Sequence, residues 1–101
     1  MVKLLSTAEF DTWEKLLPKE YQMQISGIIS QLKANVDVGK PLGYPFFREK
    51  KMGPYRVYFL VYRDIDTVLL ITVSDKKAQQ ETIDLIKEQL DYYKDMVKKN
   101  I

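Results

Sequence analysis

Residues 46–77 read FFREKKMGPYRVYFLVYRDIDTVLLITVSDKK, and this stretch decides the fold. Two turns cut it into three strands. Gly53-Pro54 supplies one turn and Asp64-Ile65-Asp66 the other, since glycine, proline and aspartate favour the backbone angles that turns need. The predicted strands are about Phe46–Met52, Tyr55–Arg63 and Thr67–Ser74. In the middle strand Tyr55, Val57, Phe59 and Val61 alternate with Arg56, Tyr58, Leu60 and Tyr62, so each set occupies one face. The last strand carries Val68, Leu69, Leu70, Ile71 and Val73, apolar on both faces, which places it inside the sheet. Connections this short exclude crossovers, so the three strands form an antiparallel meander.

Outward from this meander the sequence turns helical. Val2–Leu5 is short and apolar and reads as an opening strand. Ser6-Thr7-Ala8-Glu9 matches a capping box with Ser6 as N-cap and Glu9 reaching back. Phe10, Trp13, Leu16 and Leu17 recur at helical spacing, which predicts a first helix to about Leu17 with Trp13 in the core. Pro18 ends it and can open the next helix. There Tyr21, Ile25, Ile28, Ile29, Leu32 and Val36 form an apolar stripe. Gly39 through Gly43 and Pro45 then punctuate the change to sheet. A closing helix over about Ala78–Lys99 carries Ile83, Ile86, Leu90, Tyr93 and Val97 as one apolar seam. That seam either packs on the sheet or the helical hairpin, the preferred reading, or stays exposed for a partner or a second copy of the chain.

The expected architecture is a single α+β domain over 1–101, in the order β-α-α-β-β-β-α. A helical hairpin and a C-terminal helix pack on a small, mainly antiparallel sheet. A chain of 101 residues with 46% hydrophobic side chains can bury one modest core, which argues against disorder. With no cysteine there is neither a disulfide nor thiol chemistry, which fits a cytoplasmic protein. With no histidine the commonest general base and the usual zinc ligand are gone. No metal or cofactor is expected. The paired acids Asp64 and Asp66 are read as turn residues. No apolar run reaches membrane-spanning length, and MVKLLSTAEF is too short an apolar stretch to read as a secretory signal.

Charge is unevenly placed. Lys40 through Lys77 contains eight basic and four acidic residues, a local +4, while 1–39 and 78–101 each hold four basic and five acidic residues, −1 apiece. The net +2 therefore hides a basic sheet between nearly neutral flanks. Such a concentration fits an anionic partner. The plainer explanation is strand-end charge that blocks edge pairing.

The element order, the run Gly53-Pro54-Tyr55-Arg56-Val57, and Leu69-Leu70 followed by Lys76-Lys77-x-Gln79 together resemble the RelE/ParE toxin superfamily of toxin–antitoxin systems. The last of these runs is most similar to its HigB branch. The resemblance covers nearly the whole chain. It implies the toxin of a type II pair, a metal-independent endoribonuclease that cleaves mRNA in the ribosome. It also implies a cognate antitoxin that wraps the C-terminal surface, with acidic or amphipathic character to match a basic toxin. Carried over by position, Arg48 and Lys50 take the two basic places on the second strand. Arg56 takes the third-strand arginine, and Lys76 or Lys77 the basic place after the fourth strand. A one-residue change of register puts Lys51 in place of Lys50.

RNA cleavage without metal needs a base for the 2′-hydroxyl, a stabilised phosphorane and a protonated leaving oxygen. Arg56 suits the phosphorane, because its planar fork holds two phosphate oxygens. Lys50 is the candidate base, with Arg48, Arg56 and Lys76 crowding its charge. Lys76 completes the catalytic candidates Lys50, Arg56 and Lys76. Arg48, Lys51 and Lys77 are candidate RNA contacts, and Tyr58 and Tyr62 candidate stacking rings on the Arg56 face. Glu49 alternates away from Arg48 and Lys50 and is expected not to neutralise them.

Two departures from the pattern support a rival. The position of a tyrosine found in some ribonuclease members falls near Thr82, and the histidine of other branches is missing. The rival is a ParE-like inhibitor that binds a protein target such as DNA gyrase and cuts nothing. A non-toxic, DNA-binding regulatory relative is the third reading.

Overall fold

Thr67–Asp75, the strand apolar on both faces, has a neighbour on each side. A computed structural model of the chain describes residues 2–100. The sheet comprises β1 (Lys3–Ser6), β2 (Lys40–Pro41), β3 (Phe47–Met52), β4 (Tyr55–Tyr62) and β5 (Thr67–Asp75). Their spatial order is β1-β5-β4-β3-β2. β1 runs parallel to β5 and the other pairs are antiparallel. The meander is therefore as the turns dictate. Between Tyr58 and Phe59 the register with β5 slips from Thr72 to Leu70, leaving Ile71 as an extra residue.

Helices cover both faces of the sheet. On one side α1 (Ala8–Leu16) and α2 (Lys19–Ala34) form the hairpin. They bury Phe10, Leu17, Ile25, Ile28 and Leu32 against Met52, Val57, Phe59, Val61, Val68 and Leu70. On the other, α3 (Gln79–Glu88) and α4 (Leu90–Lys99) bury Ile83, Ile86 and Val97 against Phe47, Tyr58, Leu60, Leu69 and Ile71. The seam thus packs on the sheet, as preferred from its spacing. The two faces of β4 fall into two separate cores, so its alternation divides cores rather than core from solvent. Among the described residues no helix is long and apolar enough to cross a membrane.

The local corrections have local causes. The N-cap of α1 is Thr7, not Ser6. Its Oγ1 accepts the Phe10 N–H at 3.0 Å and donates to the Ile71 carbonyl at 2.5 Å. Ser6 donates instead to Asp11. The first strand extends to Ser6 because it pairs with β5 that far. α2 stops at Ala34, and Val36 reaches the core from the loop beyond. Lys40–Pro41 adds a two-residue strand that the punctuation of that region concealed. The C-terminal helix is two helices. Gln89 turns the chain at φ −115°, ψ 19°, its N–H bonded to the Ile86 carbonyl at 3.0 Å. No glycine or proline occurs in 87–91 to announce that turn. Trp13 is only partly buried, edge-on to Tyr55 with ring centres 6.2 Å apart.

Candidate nucleic-acid interface

Arg56 stands second in β4, immediately after a turn in which Gly53 adopts φ 59°. Antiparallel partners share a face. Arg56 pairs with Lys51 on β3 and with Ser74 on β5, so these three form a row across the sheet. The adjacent row on the same face is Lys40, Glu49, Tyr58 and Thr72. The first residue of α3, Gln79, comes down on this face. Its amide nitrogen donates to both carboxylate oxygens of Glu49, at 2.8 and 3.2 Å. Glu49 Oε1 lies 3.6 Å from Arg56 Nε, with the two side chains 8% and 12% exposed. The Arg56 Nη1 group donates to the carbonyls of Tyr55 (3.1 Å) and Gly53 (3.4 Å). A shallow hollow of about 490 Å³ opens over the pair, bordered by Gly39, Lys40, Glu49, Lys50, Lys51, Arg56 and Gln79.

Electrostatics explain the pairing. A guanidinium this enclosed needs a counter-charge, because an unpaired buried ion carries a desolvation cost of several kcal/mol. Glu49 supplies it. Four cations still surround one carboxylate, so the hollow keeps an excess of three positive charges.

The expected cluster of Arg48, Lys50, Arg56 and Lys76 does not form as one group. Arg48 pairs with Phe59 and Lys50 with Val57, which puts both on the α2 side of the sheet, opposite Arg56. Arg48 is tied into the loop that leads to β3. It donates to the Pro45 and Gly39 carbonyls, at 3.0 Å each, and lies 4.0 Å from Asp37. Arg63 also pairs with Asp37. Lys50 borders the hollow, but it is Lys51 that stands beside Arg56. Lys76 and Lys77 are exposed in the turn between β5 and α3, just ahead of Gln79.

The aromatic candidates are corrected too. Tyr58 is fully buried, its hydroxyl 2.8 Å from Ser74 Oγ. It offers no ring face for stacking. Burial pushes its phenol above the ordinary value, and the Ser74 hydrogen bond pulls the other way. Tyr62 shares the Arg56 face but lies at the far end of β4. It borders a separate hollow of about 630 Å³ that includes Phe46, Ile65, Leu90 and Val97. Burial pushes its phenol up to about 12. Thr82 borders a further depression with Ser74 and Asp75 at the end of β5.

Glu49 and Gln79 were absent from the sequence-based site. The signal for Glu49 was present: the alternation that separates it from Arg48 and Lys50 also sets it on the face of Arg56. Gln79 could not be placed without the turn that starts α3, nor Lys40 without β2.

No family model and no curated protein matches the chain. Its backbone superposes on a mutant of Escherichia coli RelE in the free state with a TM-score of 0.68 at 16% identity, covering 81% of this chain and 88% of that one. RelE in the intact E. coli RelBE toxin–antitoxin complex gives 0.66 at 16%, over 74% and 96%. The RelB–RelE antitoxin–toxin complex from Methanococcus jannaschii gives 0.61 at 23%, over 77% and 96%. The chain has the RelE fold. Within a RelE-like sheet the cationic hollow falls between the β3–β4 hairpin and the start of α3.

Proposed function

We propose that the chain is the toxin of a type II toxin–antitoxin pair and that it cleaves messenger RNA on the ribosome. The observation that carries the reading is the hollow over Arg56, where Lys40, Lys50 and Lys51 surround an arginine–carboxylate pair. Lysines at the rim draw in phosphate and Arg56 steadies the phosphorane, whose charge grows during the reaction. The hollow is open and shallow, which suits a strand presented by a larger partner better than a small ligand to be enclosed. The RelE-like fold supports the same reading, and so do the antitoxin complexes in which RelE proteins have been solved. An antitoxin for this chain is acidic or amphipathic, matched to a basic toxin, and the place of action is the cytoplasm, where ribosomes are.

One observation favours the ParE-like rival. Arg56 already holds Glu49 and two backbone carbonyls through Nε and Nη1, which leaves only Nη2 of its fork for a phosphate. Induced expression with mapping of mRNA 5′ ends separates the two. In-codon breaks that vanish with Arg56→Ala support cleavage. A DNA-damage response with intact transcripts supports inhibition of a target such as DNA gyrase. If neither transcripts nor growth change, the chain is not a toxin.

A further inference from the structure

We propose that the cleft between α1 and the start of β4 takes up an arginine side chain from a basic segment of a protein partner. The cleft lies on the α1–α2 side of the sheet, opposite Arg56, and the inference is independent of the nuclease reading.

Trp13 and Tyr55 build its walls. Their planes meet at 67° with ring centres 6.2 Å apart, and both rings are only partly buried. Between them and the turn at Pro18 a depression of about 330 Å³ opens, with the exposed Glu9 at its rim. The negative face of an aromatic ring attracts a cation within about 6 Å of its centre. Leu16, 78% exposed, and Pro18 border the same depression. They offer apolar surface to the methylene stem of a long cationic side chain.

Charge selects arginine over an apolar group. A second depression of about 400 Å³ shares Glu9 and Trp13 and continues past Asp75 at the end of β5. No lysine or arginine borders either one. Neither Glu9 nor Asp75 makes an ion pair among the described residues. Two carboxylates thus face this edge without a counter-charge, in a chain whose net charge is +2. Burial lifts the Tyr93 phenol in the second depression above its ordinary value and Glu9 adds to the rise, so the field of Glu9 reaches there. Guanidinium suits the cleft better than ammonium, because its plane stacks on a ring while its N–H fork meets a carboxylate. Two depressions in series suit a run of residues rather than one small cation. An acidic segment is repelled from this edge, which separates its partner from the acidic one expected for the basic surface.

The chain's single tryptophan, Trp13, reports occupancy. Titrating the folded chain at low salt with tri-arginine should shift its fluorescence saturably at or below about 10 mM peptide. Tri-citrulline, which has nearly the same shape without the charge, should not. Glu9→Gln removes the carboxylate, and Leu16→Lys sets a like charge at the rim. Both positions are exposed, and thermal melting confirms that each variant is folded. Each should weaken binding about threefold or more, the scale of one exposed charge pair. No response to tri-arginine, an equal response to tri-citrulline, or either variant binding as tightly as wild type would overturn the assignment.

Discussion

The Glu49 carboxylate lies 3.6 Å from Arg56 Nε, on the face of the sheet that the C-terminal helices cover. The contact joins β3 to β4, and Gln79 extends it to α3. The basic stretch therefore does not act as a uniform positive surface. It is an internally compensated pair at the floor of a hollow, with lysines at the rim. The neighbouring residue on each strand, Lys50 and Val57, belongs to the opposite face, so a shift of one residue in register would exchange the floor for the α2 side.

Tyr58→Phe tests whether that tyrosine belongs to the core or to the surface. It removes a buried hydroxyl 2.8 Å from Ser74 Oγ. Ser74 keeps its bond to the Asp75 carbonyl, so the penalty is limited to about 1 kcal/mol, the net value of a buried hydrogen bond. Urea denaturation should show that loss while RNA affinity stays unchanged. A fall in affinity with unaltered stability would return Tyr58 to the binding surface.

Thr7 and Ser6 make a paired comparison. Thr7→Ala removes the cap on the Phe10 N–H and the bond to the Ile71 carbonyl, and should cost about 1–2 kcal/mol. Ser6 is exposed, and Ser6→Ala should cost no more than about 0.5 kcal/mol. The reverse ranking in chemical denaturation would reinstate the capping box as first read.

Gly39 holds φ 89°, and a Cβ there would sit 2.7 Å from the Glu49 carbonyl oxygen and 3.1 Å from the Phe59 ring. The strand that carries Glu49 thus leaves no room for a side chain. Gly39→Ala should destabilise the fold by about 2 kcal/mol or more, from left-handed strain and the clash together. A change within about 0.5 kcal/mol would show that the loop can move away freely.

Alkaline pH should weaken the fold through Tyr62. Burial raises its phenol from 10.0 to about 12, so the folded state holds that proton more tightly than the unfolded chain does. The stabilisation is whole below the unfolded value and is lost as pH climbs through this interval. Melting temperatures should fall more steeply there for the wild type than for Tyr62→Phe. Parallel curves would show that Tyr62 does not feel its burial.

Much of this fold was legible because turns and periodicity are local. Gly53-Pro54 and Asp64-Ile65-Asp66 cut the meander where it turns, and Val68 through Val73 announced an interior strand. What the sequence hid depends on long-range contacts. Lys40–Pro41 becomes a strand only because β3 lies beside it, and Gln89 breaks a helix without a residue that favours a break. The site was half legible for the same reason. Arg56 and its face follow from alternation within one strand. Its neighbours follow from the register between strands, which gives Lys51 and Glu49 where position in the resemblance gave Arg48 and Lys50. Tyr58 shows the limit of counting faces: it shares the face of Arg56, but α3 and α4 cover it.

The most direct test of the Arg56 hollow as an RNA-cleaving surface is the rate of mRNA cleavage in a translating extract. Wild type should be compared with Lys51→Ala, Arg56→Ala and Arg48→Ala, each corrected for folded fraction. The account predicts in-codon breaks by wild type, and a loss of about 100-fold or more in Arg56→Ala, as for removal of a group that stabilises the transition state. It predicts a smaller but clear loss in Lys51→Ala, and near-normal cutting per folded molecule in Arg48→Ala. Uncut mRNA with the wild-type protein, or cleavage that survives Arg56→Ala and fails with Arg48→Ala, would contradict it.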